Sequence, residues 1–181
     1  MTVAEYAEWG MSSDAPDSRD EWIDGVIVPL LPHYVMHALA NGLIAFKLGQ
    51  YFDQHPPGYA TIGSGVVVGP DSVLSVDVAV YPWAYEEYDG PGGWGAETPA
   101  ICVDIVSPWD QPVQLQKRVL KYHAAGVPVV WTVQPEDRAV IVQGKGCGVE
   151  YLEGDDVLTA GPELPGFSCR VSAFFTPPGR P

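Results

Sequence analysis

Basic residues are scarce in this chain: nine lysines and arginines stand against 23 aspartates and glutamates among 181 residues, a formal net charge of −14. A chain so acidic repels nucleic acid at long range, so a nucleic-acid partner has to be engaged locally. Cysteine is scarce as well. Cys102, Cys147 and Cys169 are odd in number and fit no metal-ligand spacing, which argues against a disulfide framework or a cysteine zinc site and for reduced, packed thiols. Long apolar runs are missing: nothing approaches the ~20 residues of a membrane span, and the N-terminal MTVAEYAEWGMSSDAPDSRD has neither a basic n-region nor an apolar h-region. A soluble cytoplasmic protein without membrane association is expected. There is no repeat and no low-complexity tract. What the chain does have is 46% hydrophobic residues, enough for one substantial core.

The local patterns describe an α/β protein. Residues 1–20 read as an N-terminal arm or helix laid on a single domain spanning 21–181. EWIDGVIVPLL carries a hairpin signal, Asp24-Gly25, between two apolar runs. HYVMHALANGLIAFKLGQYFDQH has helical spacing through Leu39, Leu43, Phe46 and Tyr51, and HPPG ends it. YATIGSGVVVGPDSVLSVDVAVYP reads as a second hairpin turning at Gly69-Pro70-Asp71. The Gly-, Pro-, Trp- and Asp-rich stretch from Glu86 to Pro99 has the length of a rim or lid over a site. AICVDIV is a strand covered on both faces, VQLQKRVLKYHAA a helix closed by Gly126, and VPVVWTVQP a further strand. Strand, helix and strand in that order form a crossover with a parallel pair. RAVIVQG, GVEYLEG and SCRVSAFF close the chain as short strands and a terminal turn, giving a mixed sheet flanked by helices.

Two acids break the apolar pattern. Asp104 lies among Ile101, Val103, Ile105 and Val106, and Asp77 lies in VLSVDVAVYP, where strict alternation puts Val76, Val78 and Val80 on one face and Ser75, Asp77 and Ala79 on the other. An ionised carboxylate taken out of water without a partner costs several kcal/mol (roughly), so each needs compensation. Acids that meet around a divalent cation such as Mg²⁺ or Mn²⁺ would supply it; for either acid alone, a strand edge or backbone hydrogen bonds would also serve. The following helix contributes cations. At ~100° per residue, Gln114, Lys117, Arg118 and Lys121 share one face, opposite Leu115, Val119, Leu120 and Tyr122. A cation there can hold a phosphate or favour hydroxide on a metal-bound water, while the alternative is an ordinary solvated face.

Taken together, EWIDGVIVP, the helix opened by His37, SVDVAVYP, VDIVSP, KYHAAGVPVVWTVQP and ELPGF resemble the Uma family of restriction endonuclease-like proteins, within the PD-(D/E)XK nuclease superfamily. The resemblance runs from about Glu21 to Phe175. It implies a restriction-endonuclease-like fold and a metal-dependent phosphodiesterase acting on nucleic acid, DNA first. Asp77, Asp104 and the backbone carbonyl of Ile105 would be ligands to Mg²⁺ or Mn²⁺, Glu21 a further acid, and Lys117 or Arg118 the cation that polarises water or phosphate. A homodimer is the family-level analogy. The chain departs from the family pattern in two places: Val76 replaces the proline before the first acid, and Arg118 stands four residues before Tyr122, where related sequences have lysine. Arginine can clamp phosphate but cannot carry protons near neutral pH. That displaced lysine, with the aromatic stretch from Trp83 to Trp94, keeps open a second reading, a nuclease fold retained as a noncatalytic binding or assembly module. A Cys or Ser nucleophile working with His123 has little support.

Overall fold

The computed structural model describes residues 1–12, 15, 20–85, 97–146, 148–177 and 179. Turn chemistry builds the first half. Asp24 and Gly25 both take positive φ, 50° and 80°, as a two-residue turn matched to strand twist requires, and they join β1 (Asp20–Ile23) to β2 (Val26–Pro29) as an antiparallel hairpin. Pro70 and Asp71 turn β3 (Tyr59–Gly69) into β4 (Ser72–Tyr81). Ahead of them, α1 (Val3–Gly10) starts at a capping box made by Thr2 and Glu5 and stacks Tyr6 on Trp22. The second half is the expected crossover: β5 (Ile101–Ile105), buried throughout, then α3 (Pro112–Ala124), then β6 (Val129–Gln134), parallel to β5 from Ile101↔Val129 to Ile105↔Val133. Gly126, at φ 105°, closes α3.

The second helix, α2 (Val35–Gln54), has the expected extent, but the expected stripe faces inward only in part. Leu43 is buried with Ala40, Ile44, Leu48 and Phe52, and Tyr51 packs against the core, whereas Phe46 is 49% exposed. Apolar residues occur all round this helix, so spacing alone cannot decide which stripe meets the sheet. The C-terminal region also differs in detail from expectation. After β7 (Ala139–Gly144) and β8 (Val149–Glu153), an unexpected four-residue strand β9 (Val157–Ala160) pairs with β10 (Leu164–Arg170) in a separate two-stranded sheet, while VSAF forms the terminal turn, a 3-10 one. VLTA is too short for alternation to mark it as a strand. Residues 86–96, most of the expected rim or lid and with it Trp94, lie outside the described residues, as does Cys147. Among the described residues no helix is long and apolar enough to cross a membrane.

The main sheet runs β2-β1-β4-β5-β6-β7-β8, with β3 also on β4. Strand β4 thus has three neighbours for two edges. Strand β3 follows one edge from Gly69↔Ser72 to Tyr59↔Tyr81, so β1 and β5 share the other: β1 pairs at Val73 and β5 at Val78 to Val80. Between Val73 and Val78 that edge has no strand partner, and this gap positions the site. The side-chain phase changes in the same place. Val78 and Val80 pack into the cluster under α2 with Ile44 and Leu48, while Leu74, Val76, Ala79 and Tyr81 pack into the one under α3 with Val119 and Tyr122. Val76 therefore does not share a face with Val78, contrary to strict alternation. The phase shift falls at Asp77, beside Gly63, whose φ of 61° locally interrupts the β3 pairing between Ile62↔Val78 and Ser64↔Val76.

Candidate active site

The gap on β4 exposes main-chain groups that a neighbouring strand would otherwise satisfy, and charged side chains satisfy them instead. The Ser75 N–H donates to Glu21 Oε1 at 2.8 Å, and the Ser75 carbonyl accepts from Arg118 Nη2 at 2.9 Å. On β5, the Ile105 N–H donates to Asp77 Oδ2 at 2.7 Å. The β4–β5 register, Val80↔Ile101 to Val78↔Val103, would place Asp77 opposite Asp104 if it continued, so the two acids stand where the ladder ends. Both line a cleft of 580 Å³, together with Glu21, His33, His37 and Trp109.

Arg118 fills the space between two of these acids. Its Nε and Nη2 donate to Asp104 Oδ2 and Oδ1 at 2.9 and 3.1 Å, and its Nη1 donates to Glu21 Oε1 and Oε2 at 2.6 and 2.8 Å. Tyr122, one helical turn on, donates its hydroxyl to Asp104 Oδ1 at 3.0 Å and accepts from Arg118 Nη2. Asp104 is thus compensated by a guanidinium from the following helix, with the bidentate geometry that makes arginine suited to buried carboxylates. Burial works against charge on Arg118, but Asp104, Tyr122 and Glu21 outweigh it and keep the guanidinium charged. One cation serves two carboxylates here. Burial accordingly pushes the Glu21 carboxyl up despite the opposing pull of Arg118, and the nearby Asp104 adds to the rise. Burial likewise raises the Tyr122 phenol, which stays a neutral hydrogen-bond donor.

The α3 face behaves as its spacing predicts on one side only. Gln114, Lys117, Arg118 and Lys121 all line the cleft. Opposite them Val119 and Tyr122 are buried, but Leu120 is 59% exposed and Leu115 also borders the cleft. Lys117 stands on the exposed wall, and Lys121 pairs with Asp24 on the β1–β2 turn at 2.5 Å. The donors of Arg118 are spent inside the protein, so reaching a phosphate would require it to release Glu21 or Asp104. His123 points elsewhere, with Nδ1 2.9 Å from the Val127 carbonyl.

Asp77 has different company. Its Oδ1 lies 3.3 Å from His37 Nε2 and 3.9 Å from His33 Nε2, and the two imidazoles pack with centroids 3.9 Å apart. His37 is buried and its Nδ1 has no hydrogen-bond partner. Sequence reasoning placed His37 at the start of the helix but overlooked His33. The signal was available in the H-x-x-x-H spacing, with His33 two residues ahead of α2 and His37 in its first turn. On α3 an i, i+4 relation links Arg118 to Tyr122.

The comparisons with known proteins agree with this architecture. No functionally curated protein is significantly similar in sequence. A crystal structure described as a putative nuclease belonging to DUF820 from Anabaena variabilis ATCC 29413 superposes with a TM-score of 0.80 at 16% identity, covering 97% of each chain. Such a likeness carries the fold, a large mixed sheet flanked by helices. Residues 3–172 match the family model Uma2, described as "Putative restriction endonuclease", and the chain belongs to that family.

Proposed function

We propose that the protein is a metal-dependent nuclease that hydrolyses phosphodiester bonds of nucleic acid in the cleft where β4 and β5 part. The observation that carries this reading is the convergence of Asp77, Asp104, Glu21 and the cationic face of α3 on one cleft, in a chain of the restriction endonuclease family. Families of that type generally use a divalent metal. Of the oxygen donors expected around Mg²⁺ or Mn²⁺, Asp77 lines the cleft with its Oδ2 on the Ile105 N–H and its Oδ1 outside that bond, and it fits. Asp104 spends both oxygens on Arg118 and Tyr122 and would join only by giving up part of that bonding. The carbonyl of Ile105 stands on the strand end beside them. When bound, the ion would lower the pKa of a water and polarise the scissile phosphate.

The chain's own residues do the rest. The Ile105 N–H fixes the Asp77 carboxylate from behind. Lys117 offers three N–H donors to a phosphate oxygen from the exposed wall, and in a protein of net charge −14 a local cation of this kind has to draw the substrate in. Arg118 acts on position, holding Asp104 and Glu21 on the cleft floor. Assays on supercoiled plasmid, single-stranded DNA and RNA with Mg²⁺ or Mn²⁺ test the reading. Asp77→Ala should lower cleavage by about 100-fold or more, the scale on which metal-site support is lost; cleavage that survives the substitution removes Asp77 from the mechanism.

A second reading is favoured by the closure of Arg118 on Glu21 and Asp104. With that pair sealed, the fold would act as a noncatalytic binding or assembly module. Absence of cleavage on every substrate with either metal would select it.

A further inference from the structure

We infer that His33, His37 and Asp77 form the metal centre of this chain, and that it selects a divalent transition ion of the Zn²⁺, Co²⁺ or Mn²⁺ type over Mg²⁺. The inference goes beyond the nuclease reading, since binding by these three side chains is measurable whether or not the site cleaves. It relies on that reading only for what the ion does.

The donor atoms are already gathered: one from each residue, all within 4.8 Å of one another. Ligands about 2.0–2.1 Å from an ion at tetrahedral angles lie about 3.4 Å apart, close to the 3.3 Å between His37 Nε2 and Asp77 Oδ1. The His33 contact to Asp77, at 3.9 Å, is longer, with the His33 side chain 27% exposed. His37 is 3% exposed, too buried to turn towards solvent, and its unpartnered Nδ1 is unusual for a buried polar group. An imidazole lying 3.3 Å from a carboxylate is beyond the usual N–H···O range, and an ion between them would use both.

One further feature points the same way. On the other flank the Arg118 guanidinium already supplies the positive charge that Glu21 and Asp104 need. Asp104 therefore has little call for an ion, while Asp77 has no arginine or lysine paired with it among the described residues. Imidazole donors suit Zn²⁺ and its neighbours, whereas Mg²⁺ prefers oxygen ligands and keeps its waters. Two imidazoles and one carboxylate leave coordination positions open for water or a phosphate oxygen.

The test is metal binding by the chelator-stripped full chain, read without substrate. Co²⁺ titration should give visible d–d absorption bands, with Zn²⁺ competing them away and Mg²⁺ in large excess leaving them in place. His33→Ala and His37→Gln should each weaken Co²⁺ binding by about 10–100-fold, while His123→Gln, at a histidine that faces the Val127 carbonyl away from the cleft, should stay within about threefold of wild type. His33 is the decisive position, because its exposure lets the variant fold even where His37→Gln does not. Unchanged Co²⁺ affinity in His33→Ala overturns the assignment, as does displacement of Co²⁺ by Mg²⁺ at equal concentration. Loss of plasmid cleavage with Co²⁺ binding intact would remove the nuclease reading and leave this one standing.

Discussion

Glu21 and Asp104 share the cleft with Asp77, yet the protein compensates them by opposite means. Glu21 and Asp104 are 3% and 7% exposed at the side chain and receive a guanidinium, a phenol and a backbone N–H from within the chain. Asp77 is more open, at 14%, and receives one backbone N–H and the approach of two histidines. Both arrangements grow from the same gap on β4. One half of it is closed by α3, whose short connection from β5 brings Arg118 back over Asp104. The other half is left to the start of α2. The first arrangement is built for stability and the second for exchange with something outside the chain.

The comparison breaks most decisively at Arg118. Arg118→Met removes the only cation paired with Glu21 and Asp104 among the described residues, and a buried charge left without its partner typically costs about 3–5 kcal/mol. In urea unfolding at neutral pH the variant should lose that much, equivalent to a fall in Tm of about 10 °C for a chain of this size. Part of the loss should return on acidification as the two acids become neutral. Asp77→Asn in the same assay should cost about 1 kcal/mol, since its Ile105 bond can be kept by the amide oxygen. Equal losses at the two positions would erase the distinction drawn between them.

A smaller effect belongs to Tyr122→Phe. The ring is fully buried and its packing survives the change, so the variant isolates one hydrogen bond to a charged acceptor, worth about 1.5–3 kcal/mol. Because the hydroxyl also accepts from Arg118, the double variant with Arg118→Met should cost less than the sum of the two. Additivity would show that Tyr122 supports Asp104 independently of the guanidinium.

Much of this was legible in the sequence. Asp24-Gly25, the unbroken apolar run of β5, the spacing of α3 and the Gly126 stop fixed the hairpin and the crossover because each is a local property of the chain. The acids at 77 and 104 and the α3 cations were visible for the same reason, as departures from an apolar pattern. What stayed hidden depends on contacts between distant segments. Nothing near Glu21 shows that it meets Arg118, 97 residues away. The all-round apolar character of α2 concealed which stripe faces inward, and with it that His37 would stand against Asp77. Nor does alternation reveal that β4 changes phase at Asp77, where Gly63 on the facing strand interrupts the β3 pairing.

Finally, Glu21 sharpens the comparison through pH. Its folded carboxyl is pushed above the usual 4.5 by burial, with Asp104 adding to the rise and Arg118 opposing it. Between 4.5 and that raised value the folded protein binds more protons than the unfolded chain, so the contribution of Glu21 to stability is complete below 4.5 and is lost as pH rises through the interval. Glu21→Gln removes the titration while keeping the shape. The stability of wild type relative to Glu21→Gln should therefore be greatest in acid and decline as pH rises. Asp24 and Glu5, both shifted downward by their hydrogen-bond partners, act in the opposite sense but are common to the two proteins and cancel. A difference that instead grew with pH would mean that Arg118 outweighs burial at Glu21, leaving both acids on that side of the cleft ionised and the guanidinium bound more tightly than one charge shared between two carboxylates implies.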